Sequence, residues 1–467
     1  MTASAGQSHD PRSIVAIDVG ATNIDVVQFD QNLKVIQKRS TPAVRNPAPP
    51  YLSLDVDGVI DFALHSIEAF DVDVPVDAVV PCTHGSSIAL LDESGALSLP
   101  VMSYLSSVPD DVAKAYGEVE PSFSEVYAPT NPGALTVARQ LFWQERAFAE
   151  EFSKVRTIMP YAQYIAFRLS GEKASEVTSF GAQTHLWAPE ANRFSSLAAT
   201  RGWGGLAAPL RRSSDALGSL SGIALNGRGT ILCGIHDSSA SFLQIAHLEP
   251  VVLLSTGTWI IGFDTETELS SLDPRCDQVA NVRPDGRPIA SARFMGGEEF
   301  ALLAGDHVDA QPTLGAVEKL IKDGTMALPS FTDSGGPMPE TGGRGAVIGP
   351  APATAVSQVS LATLYTAQMT AYLLKGLGTT KRVVVDGVFA ENDIFMRVLA
   401  NLLDDREIFA IHGSGGSSRG AASLALNSAP PRLDLKAIAP AVLRGLGAYW
   451  MQWVEETKKS QDKGLTE

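Results

Sequence analysis

The feature that most constrains the fold of this chain is a short pattern that occurs twice. The segments Ile14–Asp30 and Val251–Asp264 each consist of an apolar run, a small polar turn, a second apolar run and a final Phe-Asp pair. The apolar runs have the length of β-strands, and the Gly- and Thr-containing turns between them predict β-hairpins. Two such hairpins, widely separated in the chain, predict two related domains.

The turns of both hairpins carry residues suited to binding phosphate. Backbone N–H groups and Thr hydroxyls can donate to an anion, and Gly lets the backbone approach it closely. An ordinary hairpin turn uses the same residue types, so the first turn alone leaves both interpretations open, and the second copy favours phosphate. The candidate phosphate-binding residues are Gly20, Thr22, Asn23, Thr256, Gly257 and Thr258.

Asp18 stands at the end of the first apolar strand. A carboxylate in a buried strand is costly unless it has a partner, which here would be Mg²⁺ or a hydrogen-bonded turn. The second hairpin has Ser255 at the corresponding position. Only the first hairpin can therefore hold a metal by a carboxylate, and Asp18 is the candidate metal ligand.

Bulk composition narrows the class of protein. The 467 residues predict two or three domains, and 45% of them are apolar, which is enough for buried cores. The net charge of −16 disfavours nucleic acid and anionic membrane as partners. No stretch reaches the roughly 18 apolar residues that span a bilayer, the polar N-terminus lacks a signal-peptide core, and three scattered cysteines form no disulfide or zinc motif. We expect a cytoplasmic protein.

Predicted strands and helices alternate along the chain, which indicates an α/β fold. The N-terminal domain is expected at residues 1–247 and the C-terminal domain at 248–467, with ligands bound in a cleft between them. The main predicted helices are 56–70, Val155–Arg168, Ser238–His247, Leu361–Leu377, Ile394–Leu403 and Leu435–Thr457, and a glycine-rich turn is predicted at 413–416.

The segment Gly234-Ile-His236-Asp237 lies between a predicted strand and a predicted helix. Asp237 could accept the proton of a sugar hydroxyl as that hydroxyl attacks phosphorus. Asp is also a preferred N-cap, and the two roles are compatible because a cap fixes the carboxylate. His236 alone is more typical of a structural residue, and nothing resembling a nucleophile elbow or an orienting acid accompanies it.

Two further loops carry candidate ligand-binding residues. His84, followed by Gly85, comes directly after a predicted strand and could hydrogen-bond a polyol, although a structural loop histidine is about equally consistent with the sequence. The segment from Gly387 to Asn392 follows a strand and opens a helix, where it could pack against a nucleoside. This second pattern is weak by itself, because Gly turns near helix ends are common.

Taken in order, these motifs resemble the FGGY carbohydrate kinases of the sugar kinase/Hsp70/actin superfamily. The resemblance runs from about residue 14 to 427, and the order and spacing of the motifs are more specific than any one of them. The matching segments are Asp18-Val-Gly-Ala-Thr22, His84-Gly85, Arg168-Leu-Ser-Gly171, Gly234-Ile-His236-Asp237, Ser255-Thr-Gly257-Thr258, Val384 to Asn392 and Gly420-Ala-Ala-Ser-Leu.

The resemblance implies two duplicated actin-like (ribonuclease H-like) domains and transfer of the γ-phosphoryl group of ATP to a ketose or related polyol. ATP and Mg²⁺ are the implied cofactors, the sugar is the implied partner, and a homodimer is one candidate assembly. The implied roles are Asp237 as the base, His84, Gly85 and His236 at the sugar, Gly387 and Asn392 at the adenosine, and Asp18 at Mg²⁺.

Within the family, two details are similar to the deoxyketose branch, the rhamnulose and fuculose kinases. They are the Ser238-Ser-Ala-Ser run after Asp237 and the segment Arg293-Phe-Met-Gly-Gly-Glu298. Neither fixes the sugar, so a xylulose/ribulose-type or tetrulose kinase stays an alternative.

The chain departs from the family pattern at two places. Gly387-Val388 replaces the usual Gly-Gly, and a β-branched residue resists left-handed backbone, so nucleotide binding could differ. Gln163-Tyr164 replaces Asp-Tyr, which bears on substrate identity. Two other classes stay open: an ATPase of the superfamily whose cycle drives a conformational change, and a catalytically silent sugar sensor.

Overall fold

The computed structural model describes residues 10–47, 49–334, 336–411 and 416–464. The chain divides into two compact units. Unit 1 comprises Met1–Gln244, Ala280–Pro288 and Gly415–Arg432, and unit 2 comprises Ile245–Val279, Ile289–Ser414 and Leu433–Glu467. None of the described helices is long and apolar enough to cross a membrane.

The strands, in chain order, are β1 (Ser13–Val19), β2 (Asn23–Asp30), β3 (Val35–Pro42), β4 (Arg45–Asn46), β5 (Ser53–Leu54), β6 (Ala78–Thr83), β7 (Ile88–Leu91), β8 (Leu97–Leu99), β9 (Thr157–Pro160), β10 (Trp187–Ala188), β11 (Arg193–Phe194), β12 (Ala216–Ser219), β13 (Thr230–Leu232), β14 (Ile235–His236), β15 (Val252–Thr256), β16 (Ile260–Asp264), β17 (Gln278–Val282), β18 (Pro288–Phe294), β19 (Met326–Leu328), β20 (Ala346–Ile348), β21 (Arg382–Gly387), β22 (Glu407–Ile411) and β23 (Leu435–Ala437). The α-helices are α1 (Val56–Asp73), α2 (Asp110–Gly117), α3 (Phe123–Val126), α4 (Val137–Ala147), α5 (Ala149–Phe152), α6 (Tyr161–Ser170), α7 (Val177–Phe180), α8 (Ser196–Thr200), α9 (Trp203–Leu206), α10 (Asp237–Leu243), α11 (Gly296–Ala304), α12 (Leu314–Asp323), α13 (Ala355–Leu377), α14 (Asp393–Leu402), α15 (Gly416–Ser423) and α16 (Leu446–Gly464).

Each unit is built on a mixed sheet, and the two sheets share one strand order. In unit 1 the order is β12-β13-β6-β1-β2-β3, with β14 also pairing β6. In unit 2 the corresponding strands, listed from the opposite edge of the sheet, follow the order β18-β16-β15-β21-β22-β23. In both, the first hairpin strand pairs antiparallel with its partner and parallel with the following strand, β6 or β21. The duplicated α/β architecture predicted from the two hairpins is confirmed.

The alternation of side chains along β1 separates two cores. Val15, Ile17 and Val19 point into a cluster that includes residues of α1 and α6. Ile14 and Ala16 point into a second cluster with Ala240 of α10 and with Ala421 and Ala422 of α15. Because successive residues of a strand face opposite sides, the next even position, Asp18, lies on the side of α10 and α15.

Two predicted helices are partly wrong. Within the predicted helix Val155–Arg168, Thr157–Pro160 is a strand paired with β7, and the helix begins only at Tyr161. Short buried apolar runs of this kind do not distinguish strand from helix. Within the predicted helix Leu435–Thr457, Leu435–Ala437 is a strand paired with β22, and α16 begins after Gly445, whose φ is +80°. Pro440 lies between the two and resists a continuous helix. The turn predicted at 413–416 lies outside the described residues except for Gly416.

Candidate active site

Three neighbouring parallel strands of unit 1 bring together the predicted metal ligand, sugar-binding residue and base. In the paired register, Asp18 of β1 lies opposite Cys82 of β6, and Ile235 of β14 lies opposite Cys82 on its other side. His84 and Asp237 directly follow the last residues of β6 and β14, so they lie at the carboxyl ends of these strands. Ligands of open α/β sheets bind at such ends. The backbone N–H of His84 also donates to the carbonyl of Val19, at 2.9 Å.

Asp18 is held by two serines that were not among the residues predicted from the sequence. The hydroxyls of Ser417 and Ser418, in the first turn of α15, both donate to Oδ2 of Asp18, the second at 2.7 Å. Burial raises the pKa of Asp18 from 3.8 to about 6, and the two serine hydrogen bonds oppose that rise. A bound cation would therefore stabilise the ionised form of this carboxylate.

A magnesium ion is compatible with this arrangement. Within the described residues, no three His, Cys, Asp or Glu side chains cluster as a metal site. Mg²⁺ in nucleotide enzymes commonly keeps several waters and uses one or two carboxylates together with substrate phosphates. Asp18 suffices as the protein carboxylate in such a site, since no described hydrogen bond occupies its Oδ1.

Asp237 is the first residue of α10, and His236 occupies the N-cap position. Oδ1 of Asp237 accepts hydrogen bonds from the backbone N–H of Ser238 at 2.5 Å and from the Ser238 hydroxyl at 3.1 Å. The same oxygen lies 3.1 Å from Nε2 of His236. Burial raises the pKa of Asp237 above its ordinary value, although His84 and the Ser238 hydrogen bonds act in the opposite direction.

His236 is neutral at physiological pH, because burial lowers its pKa to about 4. The His236 ring, whose Nε2 lies beside Asp237, therefore adds no full positive charge next to the base. Its backbone N–H donates to the hydroxyl of Thr178 at 3.2 Å, and Thr178 in turn donates to the buried carboxylate of Glu176 at 2.5 Å. This chain of hydrogen bonds fixes the segment that carries Asp237.

His84 and Gly85 form the third part of the site. Nδ1 of His84 lies 2.6 Å from the carbonyl of Gly85. The His84 ring meets the rings of Tyr104 and Tyr161, with centroid distances of 5.2 and 5.7 Å. A Cβ on Gly85 would lie 3.2 Å from Nε2 of His236, so a side chain there would crowd the histidine that precedes Asp237. Burial lowers the pKa of His84, which leaves a neutral ring suited to hydroxyl groups.

The turn of the first hairpin lies directly beyond Asp18. The N–H of Gly20 donates to the carbonyl of Asn23 at 2.9 Å and closes the turn. The side chains of Thr22 and Asn23 are exposed, so both remain accessible to an anion.

In unit 2, the turn of the second hairpin borders a cavity of about 670 Å³. Gly257, Thr258, Val388 and Asn392 are among the residues that line this cavity, together with Gly297, which the sequence had not indicated as a ligand-binding residue. Gly297 packs under the turn, because its N–H donates to the carbonyl of Thr258 at 3.1 Å and a Cβ would lie 2.3 Å from the carbonyl oxygen of Gly257. A residue with a side chain at position 297 would therefore displace the turn.

Two predicted binding residues of unit 2 have internal hydrogen bonds. Thr256 is buried, and its hydroxyl donates to the carbonyl of Asp386 at 2.6 Å and accepts from the N–H of Phe389. Asn392 caps α14 by accepting from the N–H of Phe395 at 3.0 Å. Both side chains stabilise the walls of the cavity, whatever they contribute to ligand binding.

Comparison with known proteins agrees with the carbohydrate kinase resemblance found in the sequence. Residues 248–432 match the C-terminal domain family of FGGY carbohydrate kinases. The crystal structure of a carbohydrate kinase from Novosphingobium aromaticivorans is 31% identical, with a TM-score of 0.84 over 95% of this chain and 100% of that one. This chain belongs to the FGGY carbohydrate kinase family. A xylulose kinase from Rhodospirillum rubrum (18% identity, TM-score 0.76, 97% and 100% covered) and a gluconate kinase from Lactobacillus acidophilus (16%, 0.79, 97% and 98%) share its fold. A search of curated proteins returns no match.

As an FGGY carbohydrate kinase, the chain is a phosphotransferase that uses ATP and acts on a sugar or related polyol. The departure from the family pattern at Gly387-Val388 causes no backbone strain at Val388. Only Gly387 adopts a left-handed backbone, with φ of +93°, and a Cβ there would lie 2.0 Å from the carbonyl oxygen of Thr256. Val388 is 67% exposed at the start of a 3-10 turn and borders the cavity.

The other departure of this FGGY kinase, Gln163, is a fully buried residue. Its Nε2 lies 3.2 Å from the carbonyl oxygens of both Cys233 and Gly234. An amide donates to these carbonyls and a carboxylate could not, so Gln163 supports the strand end before Asp237 in a way that the usual aspartate would not.

Because burial disfavours the ionised form of Asp18, we expect the Asp18→Asn substitution to change the stability of this kinase. A folded-state pKa of about 6, against 3.8, means that the folded chain binds the proton more tightly, so wild-type stability falls as pH rises from about 4 to about 6. The cost above pH 6 is at most about 3 kcal/mol and is reduced by the partial exposure of Asp18. Asn still accepts from both serines, so we expect a higher unfolding temperature than wild type at pH 7.5 without ligand.

The advantage of Asp18→Asn should shrink as the pH falls below 6, where the wild-type carboxyl is protonated. Thermal unfolding of both proteins between pH 4.5 and 8 measures this difference. An Asp92→Asn variant, changed in an exposed turn, serves as the control and should show no such trend. A constant difference across the range, or a less stable Asp18→Asn variant at pH 7.5, would contradict the prediction.

Proposed function

We propose that this kinase transfers the γ-phosphoryl group of ATP to a hydroxyl of a ketose or related polyol, with Asp237 as the general base. The observation that carries the proposal is the convergence of Asp18, His84 and Asp237 at the ends of three adjacent parallel strands. It supplies a metal ligand, a neutral polar ring and a base in one unit. Among these side chains, only Asp237 combines a carboxylate with a neutral imidazole nitrogen 3.1 Å from one of its oxygens.

The proposed step moves one proton and one phosphoryl group. The sugar hydroxyl gives its proton to the carboxylate of Asp237 as its oxygen forms a bond to the γ-phosphorus. The bond from that phosphorus to the bridging oxygen of ATP breaks, and ADP leaves. The raised pKa of Asp237 makes it a better proton acceptor than an exposed aspartate. Mg²⁺ bound near Asp18 would neutralise charge on the phosphates.

The remaining residues have proposed binding roles. His84, Gly85 and His236 hold the sugar. Gly20, Thr22, Asn23, Gly257 and Thr258 donate to phosphate oxygens, Thr256 supports the second turn, and Gly387 and Asn392 border the nucleoside. The domain bounds of 1–247 and 248–467 are kept in this proposal, with the sugar and metal residues in the first domain and the nucleoside residues in the second.

The sugar is proposed as a deoxyketose such as L-fuculose or L-rhamnulose. One of the two supporting segments, Arg293–Glu298, lies in unit 2. Its position there makes it weaker evidence for the identity of the sugar. Arg293 pairs with Asp277 at 3.1 Å and lies 5.3 Å above the ring of Trp259, and Gly297 packs under the second turn. This segment supports the proposed phosphate-binding turn rather than the residues around His84. Xylulose, ribulose and tetruloses are therefore the alternatives to be tested.

The proposal is tested by measuring ADP release with MgATP and a panel of sugars. The panel contains both enantiomers of tetruloses, pentuloses and 6-deoxyhexuloses, with gluconate and glycerol included. We expect one ketose class to raise ADP release at least about tenfold over the sugar-free rate, with sugar phosphate formed in equal amount. ADP release that no sugar changes would overturn the ketose assignment and favour an ATPase of the superfamily.

A further inference from the structure

Arg45, in the short strand β4, lies against the turn of the first hairpin. The N–H of Ala43 donates to the carbonyl of Thr22 at 2.8 Å, which runs this segment alongside the turn. Nη2 of Arg45 donates to the carbonyl of Ala21, between Gly20 and Thr22. The guanidinium group is thereby fixed at the tip of the proposed phosphate-binding turn of unit 1.

The strand that carries Arg45 is also linked to the segment that contacts the proposed sugar residue His84. β4 pairs with β5 through Arg45 and Leu54, and the N–H of Leu54 donates to the carbonyl of Val101 at 2.9 Å. This pairing leads to Tyr104, whose ring meets His84. Burial lowers the pKa of His84 and raises that of Tyr104, and the charge of Arg45 acts to lower both pKa values, as a nearby cation must.

Arg45 has donor capacity that the protein does not use. A guanidinium group presents several N–H donors, and Nε of Arg45 is buried without a hydrogen-bond partner among the described residues. Leaving a buried donor unsatisfied is costly, which suggests an acceptor supplied by a ligand. Neither Asp18 nor Asp237, the two carboxylates of the proposed site, accepts a described hydrogen bond from Arg45.

We propose that Arg45 is a catalytic residue that donates to the oxygens of the phosphoryl group while this group passes from ATP to the sugar. The inference rests on the proposed function, because it assumes that a phosphoryl group is transferred at the first turn. Arg45 binds the turn through the carbonyl of Ala21, and its charge acts on His84 and Tyr104. The transferring group must move from the phosphate site to the sugar site. A planar guanidinium group also matches the geometry of phosphate oxygens.

The test compares Arg45→Gln with Arg45→Lys in the full-length kinase. Gln can keep a donor near the carbonyl of Ala21 but carries no charge, whereas Lys keeps the charge. An arginine at a transferring phosphoryl group is worth roughly 10³–10⁵-fold in kcat. We expect Arg45→Gln to lose about 10³-fold or more in kcat with less than about threefold change in the KM for the sugar, and Arg45→Lys to retain at least about tenfold more activity than Arg45→Gln.

Ligand stabilisation provides a readout separate from turnover. ADP with magnesium and aluminium fluoride mimics the transferring phosphoryl group, and we expect its stabilisation of the chain in thermal unfolding to be lost in Arg45→Gln. Stabilisation by the best sugar of the panel, added alone, should be unchanged. A purely structural role would give equal losses for both variants together with a lower unfolding temperature without ligand, and would overturn the proposal.

Two other outcomes also overturn it. Wild-type kcat in Arg45→Gln removes any catalytic role for Arg45, and a large rise in sugar KM with unchanged kcat, together with lost stabilisation by sugar alone, makes Arg45 a sugar-binding residue. The second result would be expected of a carboxylate-bearing sugar such as gluconate. These outcomes are distinct from failure of the proposed function, which would appear as sugar-independent ADP release in the wild-type protein.

Discussion

Replacing Asp237 by Asn should reduce kcat for sugar phosphorylation by about 10²–10⁴-fold, the contribution typical of a general base. Asn can still accept at its amide oxygen from the N–H of Ser238, so the start of α10 should survive. The variant should therefore unfold at or near the wild-type temperature, while its sugar-dependent ADP release falls to near background.

The control for this change is Asp92→Asn, in the turn between β7 and β8. Like Asp237, Asp92 accepts from a nearby backbone N–H, that of Ala96 at 3.0 Å, but it lies in an exposed turn. Its substitution should leave kcat unchanged. The wild-type pH profile gives a second check. Because the pKa of Asp237 is raised, kcat should begin to fall on acidification at a higher pH than it would with an aspartate of ordinary pKa. Full turnover in Asp237→Asn would show that Asp237 only supports the helix.

The sequence predicted those features that depend on local signals. The two hairpins, the helix at 56–70 and the strand before Asp237 were confirmed because each combines a clear period with turn residues at its ends. The duplication predicted two related domains, and the two sheets confirm it by their shared strand order. The errors fell where local signals conflict, as at Thr157–Pro160, where a buried strand precedes a helix without a polar break.

The partners of the site residues could not be predicted, because long-range contacts decide them. The two serines that hold Asp18 are about 400 residues away in sequence and belong to the same unit. Arg45 contacts the first turn and Tyr104 contacts His84. The two-residue strands β4 and β5 in this region are too short to leave a periodic pattern in the sequence. Gly297 is a glycine in a helix by sequence, and only its distance to Gly257 reveals why it lacks a side chain.

The packing of α15 on α10 predicts a large effect for Gly420→Ala. A Cβ on Gly420 would lie 1.8 Å from the carbonyl oxygen of Ala240, and backbone at that distance must move. Overpacking typically costs 1–3 kcal/mol, occasionally more, and outweighs the gain in helix propensity of about 1 kcal/mol. α10 begins with Asp237, and α15 carries the serines bonded to Asp18. We therefore expect a lower unfolding temperature and, at temperatures where the variant is folded, a lower kcat.

Gly447→Ala is the matched control, since Gly447 also lies in a helix, α16, but a Cβ there would have no atom within 4 Å. The same substitution should leave kcat unchanged and stabilise the chain slightly, by up to about 1 kcal/mol, because Ala favours helix over Gly. Opposite signs of the two stability changes would show that close backbone packing, and not helix propensity, requires glycine at 420. If Gly420→Ala instead unfolded at or above the wild-type temperature with normal kcat, α10 and α15 could separate without disturbing Asp18 or Asp237, and the rigid placement of these two carboxylates by the helix pair would be wrong.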